Sequence, residues 1–258
     1  AQSYISKRVS YLGCHPLFGP SLASPIGQIC ALVNYHPEQT QHKAFRDCLS
    51  DAGLQIAETS PEIHDHAMSI VQALTHFVLM SFTKSVAESG ISSKGLLSMR
   101  TPNFQLLYGN ASRVLKLAAS TTGSIQSTKD AANARECFLE TAQELHRRLT
   151  DANELTEYAR IIEELRSPLS GSAVDEGAAT AAIAIDSLQR CEELLHKYKV
   201  SGEPFVFRHR VNGCMHVVRV TDIQPEQVSY EECTKIVERE GKQILAVGLS
   251  DCARSNYG

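Results

Sequence analysis

The chain has 258 residues, 43% hydrophobic and 21% charged, with a formal net charge of −4. That is enough for one large globular domain or two modest ones, and the acidic balance excludes an electrostatic nucleic-acid binder. No apolar run looks long enough to cross a bilayer, no signal peptide is visible, and eight cysteines without a Cys-x-x-Cys pair read as reduced thiols, so a cytoplasmic protein with neither disulfide framework nor metal site is expected.

Residues 9–14 (VSYLGC) read as a short buried strand and 28–36 (QICALVNYH) as a second. Residues 39–51 have helical spacing, with Ala44, Phe45, Cys48 and Leu49 on one side, and stop at Gly53. Residues 54–59 make a third strand, so this opening stretch has the strand–helix–strand order of an α/β sheet. At Ser60 the character changes. Ser60-Pro61 is a helix start, an N-cap followed by proline at the first position. The helix that follows, to about Ser89, is apolar on nearly every face and is expected to be buried in a helical assembly. Thr101-Pro102 starts another helix, and three more are expected near 127–149, 151–166 and 174–199. A second change comes at Ser201-Gly202-Glu203-Pro204. Two apolar runs joined by Asn212-Gly213 read as a hairpin, residues 229–240 as a helix ended by Gly241, and QILAVGL as a strand. The expected class is therefore α+β and mostly α. Its segments are partial α/β strands at 1–60, a helical region at 61–200 and a small ββαβ unit at 201–258.

No two glycines stand at i, i+2 and there is no Walker loop, so no nucleotide-phosphate cradle is visible. His15 follows the first strand, where ligands of open α/β sheets bind, and Pro16 and Pro20 restrict the loop around it. The alternative is an ordinary hydrogen-bonded loop histidine. His64, Met68, Gln72 and His76 are spaced by four and would share a helix face. They are either satisfied core groups or the lining of a polar pocket; His64 and His66, two apart, make no metal pair. Arg100 and Arg113 flank the next helix, as carboxylate ligands or surface ion pairs. Arg208, Arg210 and Arg219 alternate with apolar residues in the manner of a solvated sheet face.

Together these pieces resemble prephenate dehydrogenases. Gly13-Cys14-His15-Pro16-Leu17-Phe18-Gly19-Pro20-Ser21 is similar to that family's G-x-HPMFGP segment. His64-Asp65-His66 with Ile70 through Phe77 is similar to its E-H-D-H…IQALRHF helix. Thr101-Pro102-Asn103-Phe104, followed by Leu106 and Arg113, is similar to its S-P-I-Y-R-L…GR segment. The three motifs cover roughly residues 9–125, and the tail from 201 matches nothing in the family. The resemblance implies oxidative decarboxylation of prephenate with NAD(P), with His15 accepting the ring-hydroxyl proton. It implies a pocket lined by Gln72 and His76, with His64 on the same helix, and shaped by backbone groups from Gly19 to Ser21. The all-round apolar helices, which one chain can hardly cover, predict a homodimer.

Two departures qualify this. The family's dinucleotide-binding half would precede the His motif, and only about eight residues stand before the first strand here; Ser6-Lys7 lies too close to His15 to be the upstream catalytic segment. The arginine that grips the substrate carboxylate is Gln105, and an amide cannot make the charge-assisted bidentate bond; Arg100 or a partner chain would have to compensate. No cofactor is therefore expected to bind this chain, NAD(P) entering only if a missing N-terminal half supplies its site; the start at Ala1 rather than methionine keeps such a half open. The three N-terminal strands would need covering, and the tail is one candidate. The leading expectation is a redox-free enzyme on prephenate or a close relative, with cationic His15 as the general acid of a dehydratase-type aromatisation to phenylpyruvate. The alternatives are the catalytic and dimerisation part of an NAD(P)-dependent prephenate or arogenate dehydrogenase, and a non-catalytic prephenate or tyrosine sensor.

Overall fold

A computed structural model describes residues 11–19, 24–169, 171–208, 215–224, 227–233, 237–239 and 242–244. The chain divides into two compact units, residues 1–80 with 116–150, and residues 81–115 with 151–258.

The first unit holds a three-stranded sheet in the order β1 (Gly13–Pro16), β2 (Ile29–Val33), β3 (Gln55–Thr59). β1 runs antiparallel to β2 and β2 parallel to β3, with helix α1 (Thr40–Asp51) as the crossover. The strand–helix–strand reading is therefore what the chain forms. The core of the sheet is β2, where Cys30, Ala31 and Leu32 are almost fully buried. α1 stops at Gly53, whose φ of +85° suits glycine and which sits so close to Ile26 that an added Cβ would stand 3.0 Å from its side chain. β1 starts later than expected. Residues 11 and 12 are not strand, and Pro16 is tolerated because β1 is an edge strand whose missing donor faces away from the ladder.

The long helix begins as expected. Ser60 Oγ accepts the Ile63 N–H at 3.2 Å, and Pro61 occupies the first turn. It runs as α2 (Pro61–Met68), a π-helical segment (Ser69–Leu74) and α3 (Thr75–Glu88). The wide turn frees carbonyls from the usual ladder. The side chain of Gln126, in α6 (Ala119–Gln126), donates to the Ala73 carbonyl at 2.8 Å. Arg135, in α7 (Lys129–Asp151), donates in turn to the Gln126 backbone carbonyl at 3.0 Å and to its Oε1 at 2.8 Å. Phe77 and Phe138 meet edge to face alongside this clamp, centroids 6.1 Å apart.

One expectation for this helix, that no apolar run is long enough to cross a bilayer, is corrected. At 28 residues it is long and apolar enough to cross a bilayer by length and composition, and only 11% of its most apolar window is buried, so this chain alone does not bury it. Ile63, Ile70 and Val71 stand exposed on it.

In the second unit, α4 (Ser93–Ser98) and α5 (Pro102–Leu115) start on Ser92 and Thr101 caps. Phe104 of α5 stacks on Tyr108 and meets Phe82 edge to face. α8 (Leu155–Arg166) opens on a Glu154/Glu157 capping box, and α9 (Gly171–Ser201) follows. Lys199 of α9 pairs with Asp222 at 2.9 Å. From Phe205 onward the regular elements of the tail are all strands among the described residues. β4 (Phe205–Arg208), β5 (Met215–Gln224) and β6 (Gln227–Glu232) form an antiparallel sheet, and β7 (Val237–Arg239) and β8 (Lys242–Ile244) form a hairpin. The helix expected at 229–240 is not formed. β5 buries Val218 and Val220, and Tyr230 and Glu232 pair opposite them, so sheet pairing overrides the helix preference of the glutamates. Among the described residues the tail strands pair with one another, in sheets separate from β1–β3. The Asn212-Gly213 turn lies outside the described residues.

Candidate functional site

His15 lies inside β1, not beyond its end, opposite Ala31 of β2. This corrects the placement expected from sequence. Alternation along the strand points Cys14 and His15 to opposite faces. His15 Nδ1 lies 2.9 Å from Nε2 of His64, on α2, with the two rings at 66° and their centroids 5.2 Å apart. His64 Nδ1 lies 2.9 Å from Oδ1 of Asp65. The His64 side chain is 16% exposed and the Asp65 side chain 71%.

Proton positions follow from the bonding. A carboxylate only accepts, so His64 Nδ1 carries the proton it donates to Asp65. In the neutral ring His64 Nε2 is then an acceptor, and His15 Nδ1–H donates to it. His15 Nε2 is left with a free lone pair. Burial lowers the His15 pKa, and the neighbouring His64 lowers it further, so the neutral ring is favoured near neutral pH. Asp65–His64–His15 is a carboxylate–imidazole–imidazole chain ending in a base. The Asp65 contact is not legible from sequence, because an i, i+1 contact on a helix has no periodic signature.

His76, at the start of α3, has a buried Nδ1 with no partner among the described residues, and burial lowers its pKa. That polar atom needs a hydrogen bond, so the site favours a ligand or water there. Gln72 is half-buried in the π segment. The π turn breaks the regular spacing by four, so His64, Met68, Gln72 and His76 do not form the single straight stripe expected. Gly19 has open space around a would-be Cβ, and Ser21 lies outside the described residues.

In the second unit Arg100 is already engaged. Its Nε donates to Gln105 Oε1 at 3.3 Å, Nη1 to the Leu97 carbonyl at 3.0 Å and Nη2 to Glu192 Oε1 at 2.6 Å. Arg100 and Gln105 are thus brought together, but a substrate carboxylate would have to displace Glu192. Arg113 is exposed in the last turn of α5. A cavity of about 360 Å³ opens at the carboxyl ends of β2 and β3, lined by Asn34, Tyr35, Glu58, Thr59, Ser60 and Pro61. None of the candidate catalytic or substrate-binding residues lines it. Among the described residues no group of three or more histidines, cysteines or acids is placed to hold a metal.

Residues 60–164 match the family model described as prephenate dehydrogenase, dimerization domain. A probable arogenate/prephenate dehydrogenase of Methanocaldococcus jannaschii is 27% identical over 116 residues, 44% of this chain and 26% of that protein. The T-protein of Enterobacter agglomerans is 30% identical over 96 residues, 37% of this chain and 25% of that protein. The chain thus spans about a quarter of the length of the curated relatives it matches. Among solved structures, a prephenate dehydrogenase from A. aeolicus, in complex with hydroxyphenyl propionate and NAD+, is 18% identical with a TM-score of 0.45, covering 62% of this chain and 59% of that one. A Synechocystis arogenate dehydrogenase is 17% identical, also at 0.45, covering 61% and 60%. Residues 60–164 are thus similar to the dimerization domain of prephenate dehydrogenases.

Proposed function

We propose that the chain acts on prephenate or a close cyclohexadienyl relative, with His15 as the base that takes the ring-hydroxyl proton. The observation that carries this is the Asp65–His64–His15 chain, which leaves a lone pair on His15 Nε2 and a ring kept neutral by burial. Loss of that proton is half of an oxidative decarboxylation. The hydride acceptor in such a reaction is a nicotinamide, but no Gly-x-Gly turn exists anywhere in the sequence to cradle its phosphates, so no dinucleotide site is assigned to these residues. The dehydratase-type reading needs a cationic His15 as acid, and the direction of its pKa works against that. His76 Nδ1 is the second group offered to a substrate.

The test is to incubate the full chain with prephenate at neutral pH, with and without NAD+ or NADP+, following both product and equilibrium binding. Saturable binding is expected, weakened about tenfold in His15→Ala, the worth of one good hydrogen bond. Any hydroxyphenylpyruvate should require the nucleotide. Phenylpyruvate formed without nucleotide and lost in His15→Ala would overturn the base assignment in favour of the acid.

The same reading makes the protein a homodimer through the helix from Pro61 to Glu88, whose exposed Ile63, Ile70 and Val71 need a cover. A bilayer would accept an apolar helix of that length, but His64, Asp65, His66, Gln72 and His76 lie along it, and the family match is to a dimerization domain. Light scattering should give twice the chain mass, and Val71→Glu should halve it. A wild-type monomer in dilute solution would refute the dimer.

A further inference from the structure

The geometry points to Cys14 and Cys30 as a peroxide-sensitive dithiol whose closure to a disulfide resets His15. The two sulfurs lie 3.4 Å apart in their reduced form. A disulfide bond is about 2.05 Å long, so closure requires a movement of a little over 1 Å. The strands are antiparallel, with Cys14 opposite Leu32 and Pro16 opposite Cys30. The cysteines are therefore diagonal neighbours on one face of the sheet, within reach of each other. His15 and Ala31 are the opposed pair between them, on the other face. Drawing the sulfurs together moves the two backbone segments that hold that pair, and His15 depends on its position for the 2.9 Å contact with His64.

The two thiols are unequal in a useful way. Cys14 is exposed, whereas Cys30 is only 1% exposed. Burial, with Cys14 next, pushes the Cys30 thiol up to about 11, although the His15 backbone N–H opposes this. An oxidant in solution therefore meets Cys14 first, and Cys30 is the resolving group. With a hydroperoxide as oxidant the steps balance. Cys14–SH and ROOH give Cys14–SOH and ROH. The Cys30 sulfur then attacks the Cys14 sulfur and the S–O bond breaks, the hydroxide leaving as water with the Cys30 proton. Two thiols are oxidised, one peroxide is reduced, and a thiol reductant reverses the change. Reduced thiols are the expected resting state in the cytoplasm, so the disulfide is a response to oxidant and not a structural bond.

The experiment does not depend on the proposed substrate. Trypsin leaves both cysteines in one peptide, residues 9–43, because no lysine or arginine lies between Arg8 and Lys43. The full chain is treated with one equivalent of hydrogen peroxide, quenched with an alkylating agent under denaturing conditions and digested. The expected peptide is lighter by about 2 Da, two hydrogens, and takes up no alkyl group until reduced. Cutting it after Phe18 should leave two fragments joined. In parallel, the ring ¹⁵N shifts of His15 and His64 should change on oxidation and return with dithiothreitol, and Cys14→Ser should show neither change. Two alkylated thiols in the 9–43 peptide, a sulfinic acid at Cys14 with Cys30 still alkylated, or a link to exposed Cys48 would overturn the assignment. A 14–30 disulfide that leaves the histidine signals unmoved would overturn the coupling to His15.

Discussion

The molecule contains two histidine–carboxylate contacts of nearly equal length and very different surroundings. His64 Nδ1 lies 2.9 Å from Asp65, its neighbour on the same helix, and that carboxylate is 71% exposed. His216 Nδ1 lies 2.8 Å from Glu232, sixteen residues away on the adjoining strand, with side chains 2% and 21% exposed. Distance alone would rate them alike. Burial separates them: a buried hydrogen bond deleted from one side costs desolvation that an exposed one does not. The tail pair holds structure, fixing how β6 lies against β5. The helix pair holds little structure but fixes which nitrogen of His64 carries a proton, and His64 passes that choice to His15.

The larger effect should come from breaking the tail pair. Glu232→Ala removes the acceptor facing buried His216 Nδ1 and should lower stability by about 1–3 kcal/mol. Urea unfolding of the tail, followed by a probe on β5 or β6, would measure it. A midpoint unchanged from wild type would mean that the contact does not secure the strand pair, and the contrast between the two contacts would fail.

These two regions also show what the sequence made legible. The Ser60-Pro61 cap, the Gly53 stop, the crossover from β2 to β3 and the Thr101-Pro102 start rest on local chemistry, and each was readable within a few residues. The motifs around His64 and Thr101 lie within the residues that match the prephenate dehydrogenase dimerization domain, and the His15 motif lies outside them. β6 departs from the helix expected there because Ser229 to Glu232 carries local helix preference while its strand state is decided by Val218 and Val220 across the sheet. The π turn at Ser69–Leu74 was unreadable because its carbonyls are answered by Gln126, more than fifty residues away. His15 was placed just past a strand because Pro16 reads as a breaker, and only the position of β1 at the sheet edge lets it stay. The pairing of His15 with His64 spans forty-nine residues, and no spacing rule reaches that far.

The smallest effect on stability, and the sharpest on chemistry, is expected from Asp65→Asn. The contact is exposed, so unfolding should change little, within about 0.5 kcal/mol. The proton chain should change more. An asparagine can offer its N–H₂ to His64 Nδ1, which then becomes the acceptor; His64 Nε2–H becomes the donor, and His15 Nδ1 the acceptor. His15 Nε2 would then carry the proton and could no longer act as the base. In the wild type the His15 pKa is held below its usual 6.5 by burial and by His64, so the neutral ring is present at neutral pH and is lost only as pH falls through that lowered value. The same sign applies to stability: between 6.5 and the lowered value the unfolded chain binds the proton more readily, so His15 and His76 both make the fold weaker as pH falls through that window. Asp65→Asn should keep that acid limb of the stability curve, which comes from burial, while substrate binding or turnover drops severalfold at every pH above it. Nitrogen-15 spectra of the His15 ring would show the proton moving from Nδ1 to Nε2. A variant with wild-type tautomer and wild-type binding would mean that Asp65 is only a solvated helix residue and that His15 takes its orientation from β1 alone.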